Sequence, residues 1–213
     1  MQELYEKAAR SAYENCLALL EESRILADRS KFARAYALCV LGAEEFCKSF
    51  LYKGVSAGLV EERKIQKVLK LHPEKLGRFV HILMPHVILS LHANEIDEAI
   101  EHDKGEPDHA NHIYPVVMDK MREDGIKWGP TIASLFATAN ETKLNGLYVD
   151  IASNKIVVPK EAIGRELYEQ ISWFLNTFLP GFEIILNEDD ATFRRVAERL
   201  DPEFRYILNP RTD

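Results

Sequence analysis

Three charged residues, Glu44, Glu45 and Lys48, lie close together in the segment AEEFCK, within a stretch that is otherwise mostly apolar. Two carboxylates and an ammonium beside buried surface are costly, because an unpaired buried charge loses its hydration. The spacing allows ion pairs between Glu44 and Lys48 (i,i+4) and between Glu45 and Lys48 (i,i+3). Clustered charges on an apolar helix can also mark a functional patch. Spacing alone leaves both interpretations open: a structural ion pair on the polar side of a helix, or a site.

The helix that would carry these charges is predicted over residues 32–52. Its apolar residues recur at the spacing of a 3.6-residue turn, and no residue from Ala35 to Ala43 is charged. Leu38 and Leu41 keep the far side apolar as well. A helix that is apolar nearly all round belongs inside a bundle, so we expect it at the centre of the fold. The main stripe is Phe32, Tyr36, Cys39, Val40, Ala43, Cys47 and Phe50, and the opposite side holds Arg34, Glu44, Glu45, Lys48 and Tyr52.

A first helix is predicted over residues 4–26, joined to the central helix by a short turn over 28–31. So tight a connection makes the two helices antiparallel neighbours. Ser30 is suited to be the N-cap of the central helix, and Gly54 to take the left-handed position that ends it.

The rest of the chain is predicted to be helical, apart from one segment. Residues 146–159 alternate apolar and polar side chains, with turn signals at Asn145-Gly146 and Ser153-Asn154, which predicts a small hairpin near 147–158 on a helical body. Pro85 should kink one helix, and Pro180-Gly181 should interrupt another. The further helices are predicted over residues 59–71, 73–101, 131–143, 161–179, 182–186 and 190–200.

The whole chain indicates an all-α protein with one helical domain over residues 1–213: a core bundle at about 4–179 and a helical extension at about 182–213. It has 213 residues, 46% of them hydrophobic, which suits a sizeable core. The net charge of −7 argues against bulk binding to DNA. Because the sequence shows no secretory signal, no run that could span a membrane and three cysteines without a CxxC pair, we expect a reduced cytoplasmic protein.

Few other residues have the spacing of a known site. The polar loop residues His102, Asp103, Asp108, His109 and His112 match no metal motif, so we expect a solvated loop there and no metal or cofactor. Nucleotide-binding and hydrolase motifs are absent. Arg194, Arg195, Arg199 and Arg205 alternate with acidic residues, as on an ordinary solvated helix. Tyr148 and Asp150, two apart on an extended segment, share one face; either Tyr148 packs the hairpin onto the helices while Asp150 pairs with a base, or both belong to a site.

Three segments, in order, resemble one known family. FARAYALCVLGAEEFCK is similar to that family's second helix, which has an aromatic, an Arg-Ala pair, a small apolar run and E-E-x-x-K. His72-Pro-Glu-Lys75 is similar to its H-x-x-K, and Lys143-Leu-Asn-Gly-Leu-Tyr-Val-Asp150 to its K-x-x-G-L-Y-V-D. The family is that of the AbiV-type abortive-infection proteins of the HEPN superfamily. The order and spacing hold from about residue 4 to residue 179.

The resemblance implies an antiviral role in a prokaryote, on a HEPN-like antiparallel bundle that commonly dimerises. It also groups the candidate site residues. Glu44 or Glu45 would orient a cation or act as a base, Lys48 and Lys75 would neutralise an anion, and His72 would transfer protons. The residues implied for catalysis are Glu44, Glu45, Lys48 and His72, and those implied for binding a ligand or partner are Arg34, Lys75, Tyr148 and Asp150.

One departure from the superfamily bears on catalysis. HEPN ribonucleases carry R-x(4–6)-H, in which arginine stabilises phosphate charge and histidine supplies acid–base chemistry. No histidine follows an arginine at that spacing here; the nearest pair, Arg78 and His86, is one residue too far apart. Three hypotheses therefore stand: an effector acting through a protein partner or RNA, a metal-independent ribonuclease with a different set of residues, and a helical ligand- or partner-binding protein without catalysis. For all three we expect a homodimer and no membrane.

Overall fold

The computed structural model describes residues 2–69, 130–152, 155–159 and 163–187. Within them lie five helices and one two-stranded hairpin, which confirms the expected all-α class with a small extended segment. Several sequence predictions lie outside the described residues: the sites His72 and Lys75, the kinked helix at Pro85, the histidine-rich loop and the arginine-rich C-terminal segment. The elements are α1 (Gln2–Asp28), α2 (Phe32–Ser56), α3 (Glu62–Leu69), α4 (Pro130–Leu147), β1 (Asp150–Ala152), β2 (Lys155–Val157) and α5 (Arg165–Asn187).

Helices α1 and α2 form an antiparallel pair along most of their length. Two serine hydroxyls fix the register: Ser23 donates to the carbonyl of Ala35 at 2.8 Å, and Ser49 donates to that of Ala9 at 2.6 Å. Both hydroxyls are buried away from water, so each needs a hydrogen-bond partner within the protein, and the carbonyl oxygen provides it. The pairing of early α1 with late α2, and of late α1 with early α2, is the one predicted from the short turn.

Helix α2 is the central element of the described fold, as its all-round apolarity predicts. It packs against α1, α4 and α5, and it also contacts α3. Tyr36, Val40 and Phe50 are essentially inaccessible to solvent, whereas Leu38 and Leu41, on the far side, are half-buried. Burial on several sides explains why this helix has no continuous polar face.

The two caps predicted for α2 are wrong, and the structure shows why. Ser30 has a φ of 59° and ends α1: the N–H of Lys31 bonds to the carbonyl of Leu26 at 2.9 Å, and that of Ser30 to Ala27 at 2.8 Å. These two bonds form a Schellman motif with Ser30 in the left-handed position, so Lys31, which makes no side-chain capping bond, precedes α2 instead.

The C-terminus of α2 has the same motif, displaced from the predicted glycine. The helix passes through Gly54, and Gly58, with a φ of 74°, takes the left-handed position. The Gly58 N–H bonds to the carbonyl of Val55 at 3.0 Å, and the Leu59 N–H to that of Gly54 at 2.9 Å. Gly54 packs against Val60, so its lack of a side chain accommodates the turn that follows the helix.

Two other predicted breaks do not occur. Asn145-Gly146 lies inside α4, which extends to Leu147, and Pro180 lies inside α5. On α5 the buried residues Leu175, Leu179 and Leu186 continue one apolar stripe across the proline. Packing of that stripe therefore compensates for the backbone hydrogen bond that Pro180 cannot make.

The predicted hairpin is present. Strands β1 and β2 are antiparallel, with Asp150 opposite Val157, Ile151 opposite Ile156 and Ala152 opposite Lys155. No helix among the described residues is both long and apolar enough to cross a membrane.

Candidate functional site

The candidate site is built on the later half of α2, where Glu44 and Glu45 are adjacent. Neighbouring helix residues project about 100° apart, so the two carboxylates meet different partners. Glu45 pairs with Lys48 on the same helix at 2.5 Å, and their side chains are 20% and 29% exposed. This is the i,i+3 pair that the sequence allowed.

Glu44 makes a different contact from the one predicted. Its carboxylate accepts a hydrogen bond from Lys143 Nζ at 2.6 Å, and both side chains are only 11% exposed. The predicted i,i+4 pair with Lys48 is not formed, because Lys48 is engaged by Glu45. Glu44 is thus held in an ion pair with a residue of another helix, 99 positions away in sequence.

The packing of α4 on α2 explains how Lys143 reaches Glu44. Gly146 lies against the carbonyl of Ala33, while Lys143, nearly one turn earlier, meets a residue much later in α2. The two helices therefore run in opposite directions. Helical side chains lean toward their own N-terminus, so in an antiparallel pair these two long side chains lean toward each other.

Sequence reasoning missed Lys143 as a site residue, although a signal was present. It is the first residue of the Lys143–Asp150 segment that carries the family resemblance, and only 9% of its surface is exposed. What the sequence does not indicate is which of several carboxylates it would meet.

Buried thiols lie beside the charged cluster. Burial raises the pKa of Cys16 to about 12, and the nearby charge of Glu45 adds to the rise. Burial also raises the pKa of Cys47, with further contributions from Cys16 and Glu44. These thiols are protonated at neutral pH and are not nucleophiles. All three cysteines are free.

Tyr36 lies on the face of α2 that packs against α4, and the environment of its hydroxyl is unusual. The residue is fully buried, and within the described structure its hydroxyl makes no hydrogen bond of normal geometry. Burial raises its pKa to about 12, an effect partly opposed by Thr142, the neighbour of Lys143. Tyr36 is therefore a neutral phenol at physiological pH and cannot act there as a base.

Of the other predicted site residues that the structure describes, Arg34 and Tyr148 are not brought into this cluster. Arg34 is exposed in the first turn of α2, and ten residues of helix place it about 15 Å from Glu44. Tyr148 is 63% exposed just beyond α4, so it does not pack the hairpin onto the helices as one interpretation required. Asp150 begins β1, opposite Val157. Arg34 and Tyr148 instead flank the contact between Ala33 and Gly146.

The two ion pairs of the cluster determine what chemistry it can do. Each carboxylate has an ammonium partner, Lys143 for Glu44 and Lys48 for Glu45. No group of three or more His, Cys, Asp or Glu side chains within the described ranges could hold a metal ion. The arrangement is suited to holding α2 and α4 in a fixed relation, with Glu45 and Lys48 partly open to solvent.

Comparison with protein families decides the relationship. The family model for the AbiV proteins of the HEPN group matches residues 4–178 of the 213. The chain belongs to the AbiV family of HEPN proteins. The resemblance read from the sequence is thereby confirmed, and comparisons with curated proteins and with solved structures found no significant match. Two of the three segments that carry the AbiV pattern, on α2 and at the end of α4, meet at the Glu44–Lys143 ion pair.

Proposed function

We propose that this AbiV-family protein is a cytoplasmic antiviral effector of the abortive-infection type, which acts through a protein partner or RNA. Membership of the AbiV family supports the defence role. The observation that carries the mode of action is the pairing of both carboxylates: Glu44 with Lys143, and Glu45 with Lys48. Carboxylates occupied in this way support a recognition surface better than general-base catalysis, for which a free base near its substrate is needed.

The functional residues of this proposal fall into two groups. Glu44 and Lys143 fix α4 on α2, and Glu45 with Lys48 presents a partly exposed charged pair at the same place. We assign recognition to the second pair because its members remain accessible. Arg34 and Asp150 are assigned to binding of the target, Tyr148 to contact with a partner, and Lys75 to neutralising an anion. His72 would transfer protons only in the ribonuclease alternative.

Growth of cells under induced expression tests the proposal. We expect the wild-type chain to arrest growth, or to stop phage production on infection, and Glu45→Gln to do neither while remaining folded. The matched control is Glu3→Gln, which alters a carboxylate in the exposed Glu3–Lys7 pair of α1 and should leave the arrest intact. Full activity of Glu45→Gln would contradict the proposal.

The ribonuclease alternative is tested on the purified protein. Incubation with total cellular RNA, comparing the wild type with His72→Ala, separates the two modes of action. Our proposal expects intact RNA in both samples. Cleavage by the wild type that is lost in His72→Ala would favour the ribonuclease instead.

Self-association is part of the proposed function. Leu38 and Leu41, which make α2 apolar on a second side, are half-buried. A stronger basis is the apolar surface at the end of α4 and the hairpin, and light scattering should give the mass of a homodimer at tens of micromolar.

A further inference from the structure

Five large apolar side chains are exposed within the short segment that runs from the end of α4 into the hairpin. We call them the hairpin surface: Leu144 (47% exposed), Leu147 (38%), Tyr148 (63%), Val149 (64%) and Ile156 (67%). The other exposed large apolar residues of the described chain are Leu4, Leu17 and Ile25 on α1 and Trp173 on α5. Concentration in one short segment distinguishes this surface, since isolated exposed apolar residues are ordinary.

The area of the hairpin surface suits a contact between two copies. Large side chains have on the order of 200 Å² to bury, so five that are about half exposed present on the order of 500 Å² per copy. Two copies related by a two-fold axis would then bury about 1,000 Å², which is the lower end for a specific interface. A patch of this size is also at the upper end of what a monomer normally leaves exposed.

The described part of the sheet has two strands. Within the described residues β1 pairs with β2 alone, so each strand has one edge to which no other described strand pairs. An isolated two-stranded hairpin is only marginally stable in water, whereas a sheet of three or more strands with an apolar face is stable. An antiparallel edge is complementary to a copy of itself across a two-fold axis, so a second copy of this chain is a natural partner.

The register of the hairpin supports pairing with itself. Ile151 and Ile156 are paired positions of the two strands. If β2 pairs with β2 of a second copy about Ile156, positions 151 and 156 of both copies form one row across a four-stranded sheet. In the same register position 155 of one copy lies opposite position 157 of the other.

We propose that the hairpin surface is the self-association face of this protein, with the two copies meeting hairpin to hairpin about a two-fold axis close to Ile156. This names the surface for the homodimer proposed above and does not depend on the antiviral role. It also places the interface beside the site, because Leu144 follows Lys143 on α4.

The first test is mass in solution for charge-introducing variants. By light scattering at tens of micromolar, we expect the wild type to be a dimer and Ile156→Lys to be a monomer. Ile25→Lys, the same change at an exposed isoleucine of α1 (48% exposed), is the matched control and should remain a dimer. A monomeric wild type, or an Ile156→Lys variant that is still dimeric, would overturn the proposal.

A cysteine variant keeps the test decisive if Ile156→Lys folds poorly. Cys16 and Cys39 are buried, Cys47 is only partly exposed, and burial raises the pKa of all three, so a new surface thiol dominates the reactivity. Oxidation of Ile156→Cys should give a covalent dimer on a non-reducing gel, at least tenfold more than Ile25→Cys treated in parallel. No excess over that control would refute the contact. So would failure of maleimide to label the introduced thiol in the reduced Ile156→Cys variant at high dilution, since another segment of the same chain would then cover it.

Neither readout uses growth arrest or phage. A failed dimer with intact growth arrest would therefore reject the self-association face and leave the antiviral proposal standing. A confirmed dimer without growth arrest would do the reverse.

Discussion

At the scale of single residues, the informative contact joins Glu44 to a lysine that the sequence alone does not connect to it. The local spacing gives Lys48 two candidate partners, and the structure uses one of them, Glu45. Glu44 turns instead toward α4 and meets Lys143. Local spacing could predict that these charges are paired, because helix geometry is local. It could not predict the partner of Glu44, because that depends on the approach of a second helix.

The Glu44–Lys143 pair should contribute strongly to stability. Either Glu44→Gln or Lys143→Met leaves a nearly buried charge without its partner, and we expect each to lower the free energy of unfolding by about 3 kcal/mol. The double variant should lose less than the sum of the two, because it leaves neither charge unpaired. Urea denaturation of the four chains measures the coupling. Lys7→Met, in the exposed Glu3–Lys7 pair, is the control and should change the free energy of unfolding by less than about 0.5 kcal/mol.

The Glu45–Lys48 pair should matter to function more than to folding. Its side chains are 20% and 29% exposed, so solvent screens the charge left by a single substitution. We expect Glu45→Gln and Lys48→Met to lower the melting temperature by only a few degrees yet abolish growth arrest. Melting temperature and toxicity of both variants, measured beside Glu44→Gln, check this. If toxicity falls only in proportion to the loss of stability, the pair has a structural role alone.

At the scale of helices, serine, glycine and proline predicted the helix boundaries least well. Four such residues indicated a boundary, and none acts in the predicted way: Ser30, Gly54, Gly146 and Pro180. Gly146 is needed for contact: a Cβ there would lie 2.7 Å from the carbonyl oxygen of Ala33 and 2.9 Å from Cδ1 of Ile163. Glycine serves turns and close packing equally well, so sequence cannot distinguish the two uses. Apolar periodicity, by contrast, predicted α1 and α2 closely.

Substitution at Gly146 can separate these two uses of glycine. Inside an exposed helix, glycine to alanine stabilises by up to about 1 kcal/mol. Here we expect Gly146→Ala to destabilise by about 1–3 kcal/mol, because the backbone of α2 must move away from the new methyl group. Gly164→Ala is the control, since a Cβ at that position meets nothing within 4 Å. Thermal or urea unfolding gives the sign, and a stabilised Gly146→Ala would mean that α4 packs less tightly than this structure has it.

At the scale of the whole molecule, the core is closed by side chains that must stay neutral. Cys16, Cys39, Tyr13 and Tyr36 are all buried between helices, and burial raises the pKa of each. That such a core forms on α1 and α2 could be predicted from the apolar stripes of both helices. The position of α4 against it could not, because the described apolar residues of that helix include both the buried Ala139 and the exposed Leu144 and Leu147.

The folded state should therefore become less stable at alkaline pH. A thiol whose pKa rises from 9.0 when unfolded to about 12 in Cys16, and to about 11 in Cys39, binds its proton more tightly in the folded state. Its contribution is complete below pH 9 and is lost as pH rises through the folded pKa, which sets the window at about pH 9 to 12. In that window each such group lowers the free energy of unfolding by up to about 1.4 kcal/mol per pH unit. Urea denaturation at about pH 8, 9 and 10 measures the slope, and Cys16→Ala should reduce it because one of the contributing thiols is removed. A slope of zero in the wild type would show that these thiols are reached by solvent in the folded protein.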